Sequence, residues 1–249
     1  MPDRIVTACV VIIGNEILSG RTQDTNLAHI AQRLNEWGVR VEEARVIPDV
    51  EDVIVAAVND ARARFDYVFT TGGIGPTHDD ITAECIAKAF GVPLVVSDEI
   101  ARRIRQRPAL EDVMENRLRM ARIPEGATLV DNPTGGPQGF LMENVFVMAG
   151  IPSVMQAMLS TVGGEIEGGD IVRSRSVTAY LGESQIAAAL ADIQGRYPNV
   201  ELGSYPFYRG ERYGTTLVMR GTSVTDLASM LHEVKAAIIT AGEQPVSDE

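Results

Sequence analysis

The amino-terminal part of the chain alternates continuous apolar segments with amphipathic ones. Ile5–Ile13 is β-branched and almost wholly apolar, which is typical of a strand buried on both faces of a parallel sheet. Apolar residues then recur at helical spacing, which predicts a helix that Asp24 or Thr25 caps and Gly38 ends. These apolar positions are Leu27, Ile30, Ala31, Leu34 and Trp37. The alternation continues through predicted strands at Val39–Val46 and Asp66–Thr70 and predicted helices at Glu51–Arg64 and Asp80–Phe90.

Strands that alternate with helices in this way predict a three-layer α/β fold with a mostly parallel sheet and right-handed crossovers. Ligands of such sheets bind beyond the carboxyl ends of the strands. Gly14–Glu16 and Gly72–Asp80 both follow predicted strands directly. We therefore expect these two segments to face one crevice.

The rest of the chain is predicted to complete the main domain and to add a smaller one. Glu99–Arg122 has a helical pattern broken at Pro108, and two short strands form a hairpin at 140–148. A helix is predicted from Pro152 to Val162, and the glycines of 163–169 mark the best domain boundary. The predicted domains are therefore 1–165, an α/β domain, and 170–241, a small α+β domain, with a polar and frayed tail at 242–249. The small domain contains predicted strands Ile171–Tyr180, Val200–Tyr205 and Tyr213–Arg220, and predicted helices Glu183–Tyr197 and Val224–Ile239.

Charge and cysteine content narrow the possible partners. The net charge of −12 argues against nucleic acid as the main partner, although a bound cation could still make a phosphate ligand acceptable. Cys9 and Cys85 are the only cysteines, and we expect both to be buried free thiols in a reducing cytoplasm. The longest apolar stretch, Ala8–Ile13, is far too short to span a bilayer, and no signal peptide is apparent. A cytoplasmic protein without a membrane partner is expected.

The run TTGGIGPTHDDIT at Thr70–Thr82 carries the main candidate chemistry. Glycines let the backbone turn sharply and bring its N–H groups close to a ligand, and a helix N-terminus attracts an anion. The run therefore predicts a phosphate-binding turn, with a tight turn that binds no ligand as the alternative. Its predicted phosphate-binding residues are Gly72, Gly73, Gly75, Pro76, Thr77 and Thr82.

Carboxylates beside this turn predict a metal ion or an acid–base step. Asp79 and Asp80 are candidate catalytic residues and, with Glu16, candidate ligands of a magnesium-like ion that takes its remaining ligands from phosphate and water. Glu16 could instead activate water. His78 is a candidate proton carrier. The alternatives are helix capping for the aspartates, an exposed strand end for Glu16, and an ordinary surface-loop position for His78.

Three further segments are candidate ligand contacts. The loop after the first strand contributes Gly14, Asp24 and Asn26, although helix capping explains Asp24 equally well. A second flexible loop could close over the ligand, and a strand-to-helix turn could contact it or serve packing alone. The residues of these two segments are Asn132, Gly135 and Gly136, and Gly150 and Pro152.

Several of these motifs occur together in one known superfamily. TGGIGPTHDD, with IGNEILSG at Ile13–Gly20 and TQDTN at Thr22–Asn26, resembles the molybdopterin-binding (MoaB/Mog-type) superfamily. Within it, the chain is similar to the amino-terminal module of CinA, the competence/damage-inducible protein, and to the molybdopterin-binding-like domain of FAD synthases. Further matching motifs are DNPTGGPQGF at Asp131–Phe140, MAGIPSVMQAM at Met148–Met158 and LGSYP at Leu202–Pro206.

The resemblance implies a three-layer α/β/α sandwich, a KH-like carboxy-terminal unit and self-association into a homo-oligomer. CinA-like relatives imply a nucleotide pyrophosphatase that cleaves ADP-ribose or FAD with a divalent cation such as magnesium or cobalt, and with potassium. Mog-type relatives imply instead a protein that binds and adenylylates molybdopterin, and a non-catalytic nucleotide-binding module is the third alternative. Asp79 stands where Mog-type relatives carry arginine, which favours hydrolysis, and Asn15 replaces the acidic or threonine residue of relatives. The small unit lacks the Gly-x-x-Gly loop with which KH domains grip RNA.

Overall fold

A computed structural model of the protein describes residues 4–246. Contacts within the chain divide it into two compact units, which are described separately: a main unit, Arg4–Gly169, and a C-terminal unit that begins at Asp170. The strands of the main unit are β1 (Val6–Ile13), β2 (Val39–Ile47), β3 (Tyr67–Thr71), β4 (Leu94–Val96), β5 (Arg122–Pro124), β6 (Thr128–Val130), β7 (Gly139–Met142) and β8 (Val145–Met148). Its helices are α1 (Asn15–Leu18), α2 (Asn26–Glu36), α3 (Glu51–Arg64), α4 (Thr82–Phe90), α5 (Asp98–Arg105), α6 (Glu111–Leu118) and α7 (Pro152–Leu159).

Six strands form the central sheet in the order β2-β1-β3-β8-β7-β6. The first four run parallel, and β7 and β6 add to them in antiparallel pairs. The chain leaves β1, passes through α2 and enters the sheet again as β2, on one side of β1. It then passes through α3 and returns as β3, on the other side of β1. Right-handed crossovers in opposite directions place their helices on opposite faces of the sheet. The predicted mostly parallel α/β/α sandwich is confirmed.

The core of the main unit follows from the apolar pattern of the sequence. Every residue of Ala8–Ile13 is buried because β1 lies inside the sheet with helices over both faces. Phe69 of β3 and Phe146 of β8 stack on these neighbouring strands, with ring centroids 4.9 Å apart. Both cysteines, Cys9 and Cys85, are buried free thiols, as predicted.

The structure corrects several predicted boundaries. Helix α4 begins at Thr82, two residues later than expected, because Asp79 and Asp80 close a separate turn before it. The segment predicted as one broken helix at Glu99–Arg122 is α5, α6, a 3₁₀ turn and strand β5, which pairs with β4. The three-residue strands β4, β5 and β6 were missed because so short a segment shows no period. Helix α7 ends at Leu159 and not at Val162.

The C-terminal unit is a three-stranded antiparallel sheet with two helices. Its elements are β9 (Arg173–Ala179), α8 (Glu183–Arg196), β10 (Glu201–Arg209), β11 (Arg212–Gly221) and α9 (Val224–Thr240), with strand order β10-β11-β9. The predicted α+β composition is therefore confirmed. The tail is not frayed throughout, since Val246 pairs with Thr178 through two backbone hydrogen bonds, and 247–249 lie outside the described residues. Within residues 4–246, no helix combines the length and the apolar character needed to cross a membrane.

Candidate active site

A cleft of about 410 Å³ lies at the carboxyl ends of the four parallel strands. Each strand contributes to it through the residues that end or directly follow it. The sheet order reverses direction between β1 and β3, and such a switch point is where α/β sheets bind ligands. The lining residues are Ile13, Glu16, Thr22, Asp49, Gly72, Gly73, Ile74, Gly75, Asp79, Asp80, Pro137, Ala149, Gly150, Ile151 and Pro152.

The glycine turn after β3 forms the floor of the cleft. Gly72 has φ +104°, and its N–H donates to the carbonyl of Met148 (3.1 Å), so this amide is not available to a ligand. A side chain on Gly72 would come within 2.1 Å of the Ile13 carbonyl oxygen, so glycine is required there. Among the described residues, the N–H groups of the next three residues, Gly73, Ile74 and Gly75, have no acceptor. Three backbone donors are therefore free to bind an anion.

Asp80 braces the turn and also lines the cleft. Its Oδ2 accepts hydrogen bonds from the Thr77 backbone N–H (2.8 Å) and hydroxyl (2.5 Å). Gly75 makes room for this carboxylate, because a Cβ there would lie 2.6 Å from Asp80 Oδ2. Thr77 therefore positions the Asp80 carboxylate. Thr77 and Pro76 were predicted to bind phosphate, but neither residue lines the cleft.

Thr82 shapes the turn from below and is not a ligand contact. Its side chain is fully buried, and its hydroxyl donates to the Gly72 carbonyl (2.9 Å) while its N–H donates to that of Gly73 (3.0 Å). Both polar groups are therefore used inside the protein. The predicted role in phosphate binding gains no support from this position, because α4 begins at Thr82 and holds the turn by these two bonds.

A second strand-to-helix turn, after β8, closes the other side of the cleft. A Cβ on Gly150 would lie 3.3 Å from the Cα of Gly72, so the two turns touch. Gly150 and Pro152 both line the cleft, as expected, and Ile151 between them is 62% exposed. Asn26 is buried and donates from Nδ2 to the Gly150 carbonyl (2.8 Å), so it braces this turn from α2 and lies outside the lining. Asp24 caps α2 by accepting from the Leu27 N–H (3.0 Å).

The cleft is strongly acidic. Four carboxylates line it, from Glu16, Asp49, Asp79 and Asp80, and no lysine, arginine or histidine of the described chain does. The Thr77 hydroxyl, which the Asp79 and Asp80 carboxylates share, and then the backbone N–H of Asp79 itself hold the pKa of the Asp79 carboxyl below its usual value. Asp79 is therefore ionised at neutral pH. An anionic ligand could enter such a site only with a cation.

Asp49 was missed from the sequence, although the rule that found the other acids also applies to it. It follows the end of β2, which is the edge strand of the parallel set. Its Oδ2 accepts from the backbone N–H of Asn15 (2.9 Å), which ties it to the segment after β1. Gly14 does not line the cleft. The Glu16 carboxylate lies against Gly14, because a Cβ added to Gly14 would be 2.6 Å from Glu16 Oε1.

The carboxylates are not gathered into a complete metal site. Over residues 4–246, no three acid, histidine or cysteine side chains lie close enough together to hold an ion. The predicted three-carboxylate site from Glu16, Asp79 and Asp80 is therefore not formed by the protein alone. The donor set still fits Mg²⁺, which is commonly held by one or two carboxylates, with phosphates and water completing its shell.

His78 lies beside Asp79 but outside the cleft. Its side chain is 93% exposed and lies 3.9 Å from Asp79, but it does not line the cleft. His78 is therefore an exposed loop residue outside the cleft, and its proton-carrier role stays a prediction.

The second flexible loop divides between two pockets. Pro137 lines the cleft, whereas Asn132, Gly135 and Gly136 line a separate pocket. The Asn132 side chain is used within the loop, since Nδ2 donates to the Pro137 carbonyl (2.8 Å) and Oδ1 accepts from Thr134. These three residues therefore do not line the cleft that the glycine turn lines.

Fold and cleft together define an α/β protein with an acidic, amide-floored ligand site at the switch point of its sheet. Comparison with known families agrees. Residues 9–167 match a family model described as "Probable molybdopterin binding domain", and residues 171–244 match one described as "FAD synthase, middle domain". The chain belongs to the molybdopterin-binding domain family.

Individual relatives place it near CinA. A protein from Aeropyrum pernix is 34% identical and covers 95% of this chain and 91% of its own length. A CinA-like protein from Citrifermentans bemidjiense is 40% identical over 76% of this chain, which spans 47% of that relative. A crystal structure of CinA, of unknown function, from Thermoplasma acidophilum is 33% identical with a TM-score of 0.60, covering 65% of this chain and 98% of its own.

Proposed function

We propose that the cleft hydrolyses the pyrophosphate bond of an adenine dinucleotide such as ADP-ribose or FAD, with the help of a divalent cation. The products would be AMP and a second phosphate monoester. One combination carries this proposal: free backbone N–H groups at Gly73–Gly75 face a cleft with four carboxylates and, among its described lining residues, no basic group. The amides suit phosphate oxygens, and the carboxylates require that a cation accompany them.

Each group has a role that its position supports. The N–H groups of Gly73–Gly75 would hold the negative charge that develops on the phosphoryl oxygens. Asp79 and Asp80 would hold the cation, which would neutralise the pyrophosphate and polarise the attacked phosphorus. Glu16 would accept a proton from the attacking water. The water oxygen would bond to phosphorus as the bridging P–O bond breaks. The bridging oxygen would leave on the second phosphate, and no covalent enzyme intermediate would be needed.

Two similarities support the choice of substrate. The match of residues 171–244 to the FAD synthase middle domain and the similarity to CinA-like proteins both connect the chain with this branch of the family. The cleft also has apolar lining residues, which would suit a flat ring system. They are Ile13, Ile74, Pro137, Ala149, Ile151 and Pro152.

The test is release of AMP by the purified full chain from ADP-ribose and from FAD, with Mg²⁺ or Co²⁺. We expect turnover that chelation abolishes and that Asp80→Asn lowers by at least about 100-fold, since a metal contributes several kcal/mol to such a transition state. Asp112→Asn, on the exposed surface of α6, is the matched control and should retain full activity. Absence of AMP under all these conditions, or full activity in Asp80→Asn, would refute the proposal.

A second candidate is binding and adenylylation of molybdopterin, which the description of the matching family model favours. ATP consumption that depends on molybdopterin, without release of AMP from ADP-ribose, would support this candidate over the first. Nucleotide binding without any turnover would indicate a non-catalytic module. Self-association into a homo-oligomer remains a prediction, which light scattering on the eluting protein can check.

A further inference from the structure

A second pocket of about 330 Å³ lies in the main unit, between α5, the α6 region and the 131–138 loop. Ile100, Ile104 and Met120 give it an apolar wall, and three arginines give it positive charge. It differs in chemistry from the acidic cleft, which no described basic residue lines. The remaining lining residues are Gln106, Asn132, Gly135, Gly136 and Gln138.

The three arginines of this pocket are Arg103, Arg107 and Arg117, and only the first is neutralised. Arg103 donates to Glu99 (2.8 Å) and Asp131 (2.6 Å), and so belongs to the frame of the pocket. Neither Arg107 nor Arg117 has a carboxylate within 4.0 Å in the described part of the chain. Within residues 4–246, the Arg117 side chain donates only to the backbone carbonyl of Arg107 (3.3 Å). Arg107 is exposed and Arg117 is half-buried, and together they give this pocket uncompensated positive charge in a chain with 34 acidic and 22 basic residues.

Hydrogen bonds hold the 131–138 loop in place as part of the pocket wall. The buried Gln138 side chain accepts from the Asn132 N–H (3.0 Å) and from Arg103 (3.2 Å), which fixes both ends of the loop. Gly135 has φ +74°, and a Cβ there would lie 2.2 Å from Arg107 Nη2. The Arg107 guanidinium therefore lies directly against the loop backbone, and a side chain at position 135 would displace it.

We propose that this pocket is a second ligand site, which binds a phosphomonoester group attached to an apolar or aromatic body. Two guanidiniums present planar sets of N–H donors that match phosphate oxygens, and they would supply the two charges that a phosphate dianion needs. The apolar wall would take the attached body. The site needs no metal and does not depend on the proposed hydrolysis.

The probe is phenyl phosphate, titrated calorimetrically into the full chain in the presence of EDTA. We expect saturable binding that the double variant Arg107→Gln/Arg117→Gln weakens by at least about tenfold, because each removes charged hydrogen bonds. Arg105→Gln is the matched control, since Arg105 is an exposed arginine of α5 that does not line the pocket, and it should bind as the unmodified chain does. If thermal melting shows that the double variant is unfolded, each single variant replaces it.

Two further measurements separate this site from the cleft. Asp80→Asn should bind phenyl phosphate unchanged in EDTA, whatever its effect on release of AMP. Inorganic phosphate should bind more weakly than phenyl phosphate because it leaves the apolar wall exposed. The proposal is overturned if the unmodified chain does not bind phenyl phosphate, if binding survives loss of both guanidiniums, or if Arg105→Gln weakens it equally.

Discussion

Replacement of Gly72 by alanine tests the packing that holds the floor of the cleft. The added methyl group would come 2.1 Å from the Ile13 carbonyl oxygen, which is backbone and cannot rotate away. The φ of +104° would also be strained for any residue with a Cβ. Gly91 provides a matched control, because it has φ +67° and its added Cβ would meet no atom within 4 Å.

The two substitutions therefore separate backbone strain from steric clash. Strain alone should cost about 1–2 kcal/mol of unfolding free energy, which is the effect expected for Gly91→Ala. Gly72→Ala adds the displacement of β1 from β3, for which overpacking of a fixed neighbour suggests about 1–3 kcal/mol more. We expect a total loss of about 2–5 kcal/mol, together with loss of any ligand binding in the cleft.

Urea denaturation followed by tryptophan fluorescence is a suitable assay. Trp37 is the only tryptophan of the chain, and it packs against the core of the main unit, which contains both glycines. Its signal therefore reports the unfolding of the relevant unit. Equal destabilisation by Gly72→Ala and Gly91→Ala would refute the close approach of β1 to the turn.

Three other predictions follow from single side chains. Thr82→Val keeps the shape of a buried side chain but removes its hydroxyl, so it should cost about 1–3 kcal/mol of unfolding free energy in the same assay. The control Thr161→Val, at an exposed position, should cost less than about 0.5 kcal/mol. Equal losses would contradict the role of the Thr82 hydroxyl. Because the pKa of Asp79 is lowered in the folded protein, its contribution to stability is present above the pKa of the unfolded chain and is lost as the pH falls through the folded value. A ¹³C carboxyl titration of the folded protein should therefore give a midpoint below that of an ordinary aspartate. A higher midpoint would refute this prediction. Burial raises the pKa of Cys9 to about 11 and of Cys85 to about 12. A thiol reagent at pH 8 should therefore modify neither cysteine in the folded protein and both cysteines in urea. Rapid modification of the folded chain would contradict the burial of the two thiols.

The fold was predictable because its signals are local and repeated. The β-branched run Ile5–Ile13 predicted a buried strand, which the structure has at Val6–Ile13, and the alternation after it predicted the class of sheet. The segments after β1 and β3 were expected to meet, and Glu16 and Asp80 line the same cleft. The rule that locates ligands at strand ends needs no knowledge of side-chain contacts, which explains why it works from sequence.

The finer roles were not predictable because they depend on hydrogen bonds across the chain. Thr82 and Asn26 are polar residues near the cleft, yet the Thr82 hydroxyl and the Asn26 Nδ2 both donate to the backbone of a turn. Asn132 is similarly used within its own loop. Arg107 and Arg117 lie in a segment whose arginines resemble a solvated helix face in the sequence, and only the path of the 131–138 loop brings them into a pocket.

A crystal structure of the full chain with Mg²⁺ and a methylene-bridged, non-hydrolysable analogue of ADP-ribose would show whether the glycine turn binds the pyrophosphate. We expect phosphate oxygens about 3 Å from the N–H groups of Gly73–Gly75, and the metal held by Asp79 or Asp80. A pyrophosphate group bound elsewhere, or bound in the cleft without contact to those amides, would contradict this expectation.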